Sequence, residues 1–224
     1  MLYFLHRFLQ RMEKKISVII PTLNEEQNIA KCLDAIYHQC MPTSDFEVII
    51  VDDYSQDKTV DIAKEYAKRY GNIRIFKAHS NIGEARDIAV KKAKNKIIFS
   101  TDADAILNRR CHLGKIRQDF DRYKIITWAG PIQDPDFEFQ NLIIEGGLLS
   151  GGAVCGANFA FLKTAYEKAG GFPRIDIGED NALFWKLKSL NLDGHMYRHK
   201  YSVIMQYSIF EWAENTLASR FGDC

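Results

Sequence analysis

Short apolar runs rich in β-branched residues alternate with helix-like segments through the first half of the chain, and no other sequence feature constrains the fold as strongly. The first run, Ile16–Ile20, is ended by Pro21 and is typical of a buried strand. Similar runs follow at 46–51, 73–76 and 96–101, and the segments between them carry apolar residues at helical spacing. Because right-handed crossovers join parallel strands, this order predicts an α/β fold, a single domain with a mostly parallel sheet flanked by helices.

Two of the predicted helices have recognisable start signals. Asn24, with Gln27 three residues later, has the spacing of a capping box and is predicted to open the first helix. Ser55 or Asp57 is predicted to open the second helix, and the third is predicted over 84–94. A side-chain oxygen at such a position accepts a hydrogen bond from a free N–H of the first turn.

Composition excludes several classes of protein. A chain of 224 residues that is 46% apolar can bury one good core. Its formal net charge of +1 supplies no field that would attract nucleic acid, so no nucleic-acid partner is expected. The five cysteines are scattered without a Cys-x-x-Cys pair, so neither a zinc site nor a disulfide framework is expected, which fits a cytoplasmic protein.

The first twelve residues are apolar but interrupted by Arg7, Arg11 and other polar side chains. One interpretation is a helix packed on the domain or on a partner. The other is an interfacial amphipathic helix whose basic residues meet anionic lipid, which would place the protein peripherally on the cytoplasmic face of the membrane. No apolar run approaches the roughly 18 residues that a membrane-spanning helix needs.

Polar side chains come directly after each of the four predicted strands. In an open α/β sheet the ligand crevice lies outside the carboxyl ends of the strands. A single carboxylate there is usually a helix cap, but Asp102 and Asp104 end an apolar strand with no obvious helix directly after them. The residues expected on this rim are Pro21, Thr22, Asn24, Glu25, Asp52, Asp53, the segment 79–86 with Arg86, Asp102 and Asp104.

The Asp102-Ala103-Asp104 triplet is a candidate metal site. A turn lets both carboxylates approach one cation, and two carboxylates plus the phosphate oxygens of a substrate suit Mg²⁺ or Mn²⁺. Such an ion would neutralise charge on a departing diphosphate. Asp-x-Asp occurs often by chance, so its support comes from its place at the end of the fourth strand.

Two glycine-bounded segments lie downstream. Gly151–Asn158 is predicted to be a loop before a strand, where small residues either let a ligand approach the backbone or form a bend. Glu179 and Asp180 precede a helix predicted over 181–190, so they either complement its dipole or offer a carboxylate that takes a proton from an attacking hydroxyl. The glycine-rich loops of dinucleotide oxidoreductases and P-loop ATPases are absent.

The chain resembles family 2 glycosyltransferases of the GT-A fold over residues 16 to 200, roughly. The blocks that carry the resemblance are specific together, although each one alone is not. They are 19–25, 51–59, 81–86, 102–104, 156–158, 170–172 and 179–180. The resemblance implies a Rossmann-like GT-A fold and an inverting transferase, in which an acceptor hydroxyl displaces a nucleoside diphosphate from the anomeric carbon of a donor sugar with the help of Mg²⁺ or Mn²⁺.

The resemblance also implies roles for individual residues. The nucleotide would be held by Pro21, Thr22, Asn24, Glu25, Asp52, Asp53, Asn81, Gly83, Arg86 and Asp102. Asp104 would ligate the metal between the two phosphates, and Asp102 would contact the metal or the ribose. Asp180 would be the general base and Glu179 its neighbour on the acceptor side. Gly156, Ala157 and Asn158 would form the loop beside the donor sugar and the acceptor.

Three departures from the family pattern affect these expectations. Tyr54 stands where many members have a glycine, so this turn either adopts a different φ or places an aromatic ring beside the base. Many members also carry a histidine after the last strand, but the corresponding residues 203–207 contain none, and His195 and His199 lie a little too early in the chain to match it. The Gln-x-x-Arg-Trp block of processive polysaccharide synthases is also missing, so single-sugar transfer is expected.

The predicted boundaries are an amphipathic segment 1–15, a glycosyltransferase domain 16–210 with a nucleotide-binding half 16–105 and an acceptor half 106–210, and a tail 211–224. The expected donor is UDP- or GDP-linked. The expected acceptor is a saccharide, a lipid-linked intermediate or a protein.

Two other function classes are weighed against this one. A nucleotidyltransferase would carry an early glycine-rich loop with Arg or Lys, whereas 21–26 is acidic here. A non-catalytic nucleotide-sugar-binding module would not need a base such as Asp180.

Overall fold

The computed structural model describes residues 15–123, 125–130, 132–133, 154–175, 177–190, 195–198 and 203–205. Its strands are β1 (Ile16–Thr22), β2 (Phe46–Asp52), β3 (Ile73–Lys77), β4 (Ile97–Ser100), β5 (Ala105–Leu107), β6 (Ile125–Ala129), β7 (Ile132–Gln133), β8 (Phe159–Leu162), β9 (His195–Arg198) and β10 (Val203–Met205). Its helices are α1 (Ile29–Tyr37), α2 (Thr59–Tyr70), α3 (Ile82–Lys92), α4 (His112–Arg122), α5 (Lys163–Lys168) and α6 (Glu179–Ser189). The predicted N-terminal segment and C-terminal tail lie outside the described residues.

One seven-stranded sheet organises the described chain, in the order β3-β2-β1-β4-β8-β6-β9. The strands β1 to β4 are mutually parallel, and β8 runs antiparallel to both β4 and β6. A smaller sheet pairs β5, β10 and β7. The prediction of a mostly parallel sheet flanked by helices in a single domain is therefore confirmed. The strand order reverses between β1 and β4, where a ligand crevice is expected in such sheets.

Both faces of this sheet are buried. Ile16, Val18 and Ile20 of β1 belong to one apolar cluster, and Ile19 belongs to a second. Because successive side chains of a strand point to opposite faces, the continuous apolar run of β1 feeds both clusters. The sheet is thus a rigid central layer, and polar side chains are accommodated where its strands end.

The first helix begins later than predicted, and Asn24 does not cap it. Helix α1 starts at Ile29, whereas Asn24 adopts a left-handed φ of 54°. Its backbone N–H donates to Ser55 Oγ at 2.9 Å, and its side-chain oxygen accepts from the Gln56 N–H at 2.9 Å. The prediction that Asn24 caps the first helix is wrong, because its side-chain oxygen links the loop after β1 to the loop after β2 instead of accepting from the first turn of α1.

The second and third helices begin differently, the second without a side-chain cap at its cap position and the third with a capping box. Helix α2 begins at Thr59, and the predicted Asp57 accepts from the Thr59 N–H at 2.9 Å although Lys58 occupies the cap position. Helix α3 begins two residues before the predicted Glu84, with Asn81 as its cap. Asn81 Oδ1 accepts from the Glu84 N–H at 2.9 Å, and the Glu84 carboxylate accepts from the Asn81 N–H at 3.3 Å, which completes a capping box.

One disulfide joins Cys40 to Cys111, with their Cα atoms 5.3 Å apart. The expectation that the scattered cysteines form no disulfide is wrong for this pair. The two residues are 71 positions apart and meet because the Cys40 N–H donates to the Arg110 carbonyl at 2.6 Å, beside the start of α4. Cys32 and Cys155 are free thiols. No helix among the described residues is long and apolar enough to cross a membrane.

The cap of α3 yields the first prediction. Replacing Asn81 by Ala should lower the free energy of unfolding by about 1 kcal/mol, because the Glu84 N–H in the first turn loses its side-chain acceptor. Urea denaturation measures this change, and Asn81→Asp is the matched control because it keeps an acceptor oxygen. Equal losses in the two variants would contradict the capping role.

Candidate functional site

The carboxyl ends of the central strands meet at one rim, as the sequence predicts. Thr22 at the end of β1 lies opposite Asp52 at the end of β2, and the Asp53 N–H donates to the Thr22 carbonyl at 3.0 Å. On the other side of β1, the Thr101 N–H donates to the Ile19 carbonyl at 3.1 Å, which places Asp102 beside the same edge. Three of the predicted blocks are therefore joined by backbone hydrogen bonds.

The two carboxylates after β2 have different surroundings. Asp52 is fully buried and accepts from the backbone N–H and the hydroxyl of Ser55, at 3.1 and 2.5 Å. Asp53 keeps 31% of its side chain exposed and lies 3.3 Å from Nδ1 of His79. Asp52 therefore holds the turn in shape, whereas Asp53 is the one that an incoming ligand can reach.

Tyr54 adopts a left-handed backbone conformation, which favours glycine. Its φ is 54°, in the left-handed region, which costs a side-chain-bearing residue about 1–2 kcal/mol. Its ring is 42% exposed and stacks on His79 at a centroid distance of 4.1 Å. The ammonium of Lys77 lies 5.6 Å from the same ring. The turn thus places an exposed aromatic ring at the rim.

The Asp102-Ala103-Asp104 triplet forms a tight turn, in which the Ala105 N–H donates to the Asp102 carbonyl at 3.1 Å. Asp104 is only 5% exposed. Burial raises the pKa of its carboxyl well above the usual range, and the nearby charges of Asp102 and Glu25 raise it further. The turn therefore concentrates negative charge where little water screens it.

This charge distribution fits a divalent cation that also binds phosphate. No group of three or more His, Cys, Asp or Glu side chains in the described residues is arranged to hold a metal alone. Mg²⁺ and Mn²⁺ commonly use one or two carboxylates and take further oxygens from substrate phosphates and water. Asp102 and Asp104 supply such a pair, and the repulsion around Asp104 is relieved by a cation.

Arg86 lies in the interior of the site and not on its surface. Its side chain is 2% exposed, forms an ion pair with Glu179, and reaches Asp102 Oδ1 at 2.5 Å. Burial alone would lower the pKa of the guanidinium, but Asp102, Glu179 and Asp180 raise it above its ordinary value. Arg86 is therefore a permanent cation between the metal-site turn and the first turn of α6.

In the acidic pair at the start of α6, as in the pair after β2, one carboxylate is buried and the other is more accessible. Glu179 is 4% exposed and faces Arg86. Burial raises the pKa of its carboxyl, Arg86 opposes that rise, and Asp180 adds to it. Asp180 is half-buried; its Oδ2 accepts from the Gly156 N–H at 2.7 Å and its Oδ1 from the Asn181 N–H at 2.6 Å.

The Gly156–Asn158 turn comes to the rim because β8 is antiparallel to β4 and pairs Phe159 with Ser100. Ala157 and Asn158 are fully buried, and Asn158 bonds His112 at 2.9 Å, so only the backbone of this turn faces the candidate base. Of the predicted 151–158 loop, the part before Val154 lies outside the described residues.

Two residues of the site were not predicted from sequence. His79 was included only in a segment, and its contacts with Asp53 and Tyr54 depend on the neighbouring strand ends. Asn181 exchanges hydrogen bonds with the Val154 backbone at 2.9 and 3.0 Å, which ties α6 to the chain before β8. Neither belongs to a motif whose spacing would have revealed it.

Comparison with known proteins agrees with this architecture. The family model described as "Glycosyl transferase family 2" matches residues 17–168. The chain is 41% identical over 93 residues to the poly(ribitol-phosphate) beta-glucosyltransferase of Bacillus spizizenii, covering 40% of this chain and 15% of that protein. It is 38% identical over 91 residues to glycosyltransferase AglE of Haloferax volcanii, covering 40% of this chain and 30% of that protein.

Solved structures show the same fold at low identity. Staphylococcus aureus TarS 1-349 in complex with UDP-GlcNAc has a TM-score of 0.67 at 20% identity, covering 86% of this chain and 56% of that one. The mannosyltransferase PcManGT from Pyrobaculum calidifontis, in complex with GDP-Man and Mn²⁺, has a TM-score of 0.71 at 20% identity, covering 100% and 72%. The architecture is that of a GT-A glycosyltransferase. The chain belongs to glycosyl transferase family 2.

The charge at Asp104 yields the second prediction. In metal-free buffer at pH 8, Asp104→Asn should raise the melting temperature, because a carboxyl whose pKa is raised on folding destabilises the folded state once it ionises. The gain should fade as the pH falls towards about 4, where the unfolded carboxyl also takes up its proton. Differential scanning calorimetry at both pH values measures it.

Asp57→Asn is the matched control. Burial alone would raise the pKa of Asp57, but hydrogen bonds from Thr59 and Glu26 lower it below the ordinary value. Its ionised form therefore stabilises the folded state, and the substitution should lower the melting temperature at pH 8. A fall with Asp104→Asn would contradict a buried, uncompensated charge at that position.

Proposed function

We propose that this chain transfers a sugar from a nucleoside-diphosphate sugar to an acceptor hydroxyl with inversion, using a divalent metal at Asp102 and Asp104 and Asp180 as general base. The observation that carries the proposal is the arrangement of these carboxylates around one rim. The turn at 102–104 is joined through Arg86 to the helix start that presents Asp180. The donor side and the base therefore belong to one continuous site.

The donor nucleotide is proposed to lie along the ends of β1 and β2. Asp53 offers an accessible carboxylate that accepts N–H groups of a nucleobase, and Tyr54 offers a ring face beside it. Thr22 and Glu25 follow β1 on the same rim, towards the metal turn. The names of the structural relatives include UDP-GlcNAc and GDP-Man, so uracil and guanine are the bases to test first.

The chemical step needs a base that is accessible and correctly oriented. Asp180 is half-buried, and three N–H hydrogen bonds hold its orientation: one from Gly156 on Oδ2, and two from the backbone and side chain of Asn181 on Oδ1. We propose that it takes the proton as the acceptor oxygen attacks the anomeric carbon, while the diphosphate leaves from the opposite face. A divalent ion held by Asp102 and Asp104 supplies neutralisation of the charge that develops on that diphosphate. Glu179 faces Arg86 and is not the proton acceptor.

The acceptor class remains a saccharide, a lipid-linked intermediate or a protein. The relatives' names include enzymes acting on poly(ribitol-phosphate) and on a dolichyl-linked sugar phosphate. We propose a cytoplasmic enzyme that is peripheral on the membrane through residues 1–12, and the Cys40–Cys111 disulfide removes the cysteine argument for that compartment. The chain spans less than a third of the length of the first two curated relatives.

The proposal is tested by nucleotide-dependent thermal stabilisation. A ligand that binds only the folded state stabilises it by about 2.7 kcal/mol at a hundred times its dissociation constant. UDP or GDP should therefore raise the melting temperature with Mn²⁺ and much less with EDTA, and Asp104→Ala should abolish the difference. Absence of any shift with both nucleotides in Mn²⁺ would rule the proposal out.

The base assignment gives the third prediction. Asp180→Asn should lower the rate of transfer, or of donor hydrolysis, by about 10²–10⁴-fold, because an amide cannot take the proton. Stabilisation by UDP or GDP with Mn²⁺ should be unchanged. Asp61→Asn, at an exposed residue paired with Lys64 on α2, is the control and should leave both measurements unchanged. Loss of nucleotide binding in Asp180→Asn would place Asp180 in the nucleotide site instead.

A further inference from the structure

The Arg86 side chain connects two parts of the site that are remote in sequence. It leaves α3, one guanidinium nitrogen reaches Asp102 at 2.5 Å, and another pairs with Glu179 in the first turn of α6. Glu179 is adjacent to Asp180, the proposed base. The 102–104 turn and the first turn of α6 are therefore joined through a single planar guanidinium.

Gly156 and Gly83 lie so close to the Arg86–Glu179 pair that a side chain at either position would crowd it. A Cβ atom added at Gly156 would lie 2.5 Å from Cζ of Arg86, closer than real contacts allow. A Cβ at Gly83 would lie 3.2 Å from both Cβ and Cγ of Glu179, so α3 and α6 also approach closely. The guanidinium thus occupies the volume that a side chain at 156 would need.

The arrangement is poorly explained by stability alone. Arg86 Nε is buried and has no hydrogen-bond partner in the described structure, and an unmet buried donor costs about 1–3 kcal/mol. A buried cation also loses its hydration, which its ion pairs offset only with good geometry. An apolar side chain would fill this space at a lower desolvation cost. Stability therefore does not account for a buried guanidinium at this position.

We propose that Arg86 is a positioning residue that sets the separation between the Asp102 carboxylate and the α6 turn bearing Asp180, with Gly156 holding open the space for its guanidinium. This deepens the proposed function and rests on it, because the roles of Asp102 and Asp180 are taken from there. Arg86 acts through these two neighbours and does not itself contact the nucleotide. The lack of a side chain at Gly156 therefore affects metal use and transfer, although Gly156 itself contacts the site only through its backbone N–H, which donates to Asp180.

The test is a double-mutant cycle between positions 86 and 156. Gly156→Ala should displace the guanidinium and raise the Mn²⁺ concentration for half-maximal donor hydrolysis by about 10–100-fold, the usual effect of losing a group that orients a metal ligand. Arg86→Lys should also raise it, because an ammonium cannot pair with both carboxylates in one plane. Lysine leaves room for the added methyl group, so the double variant should need no more Mn²⁺ than Gly156→Ala alone. Effects that simply multiply would overturn the proposal.

A second measurement needs neither nucleotide nor activity. Asp102→Asn removes the charge at one end of the connection, and hydrogen exchange of the backbone N–H groups in 154–158 and 179–183 should become faster. The same substitution should have no such effect in an Arg86→Lys background. Unchanged hydrogen exchange in Asp102→Asn would overturn the proposed role of Arg86. Faster exchange in Asp102→Asn, together with no Mn²⁺-dependent nucleotide binding by the unmodified protein, would overturn the proposed function but not the role of Arg86 in positioning α6.

Discussion

Parallel pairing of β1 with both β2 and β4 is the constraint on which the rest of the site depends. It brings the carboxyl ends of three strands to one edge, so that polar residues far apart in sequence become neighbours there. The antiparallel strand β8 then starts where β4 ends, which carries the turn at Gly156 to the same edge. The apolar faces of the sheet are covered by helices, and this edge is where charged side chains can be placed without being buried among apolar ones.

Two acidic pairs at this rim share one design. In each pair one carboxylate is buried and satisfied by the protein, and its neighbour stays accessible: Asp52 beside Asp53, and Glu179 beside Asp180. The buried member shapes the local backbone through Ser55 or through Arg86. The accessible member is thereby held beside it at the rim. The turn at 102–104 differs, since Asp104 is buried next to other acids, which raises the pKa of its carboxyl.

Sequence reasoning succeeded where a signal is local and repeated. The apolar runs predicted the four parallel strands, and the polar residues at their ends predicted the rim. It failed where a side chain is used at a distance. Asn24 has the spacing of a helix cap, but its oxygen accepts from Gln56 in a neighbouring loop. The burial of Arg86 between two carboxylates likewise depends on the fold and cannot be read from its spacing, and its expected place near the nucleotide stays a prediction.

The disulfide is the same kind of case, because Cys40 and Cys111 have no sequence pattern in common and lie 71 positions apart, and the Cys40 N–H meets the Arg110 carbonyl only in the folded chain. The sequence by itself determined the family, the order of the elements and the residues available at the strand ends, since hydrophobic periodicity and short motifs are local properties. Only the tertiary structure decided which carboxylate of each pair is buried and which stays accessible. Burial and charge pairing depend on residues that the fold, and not the chain order, makes neighbours.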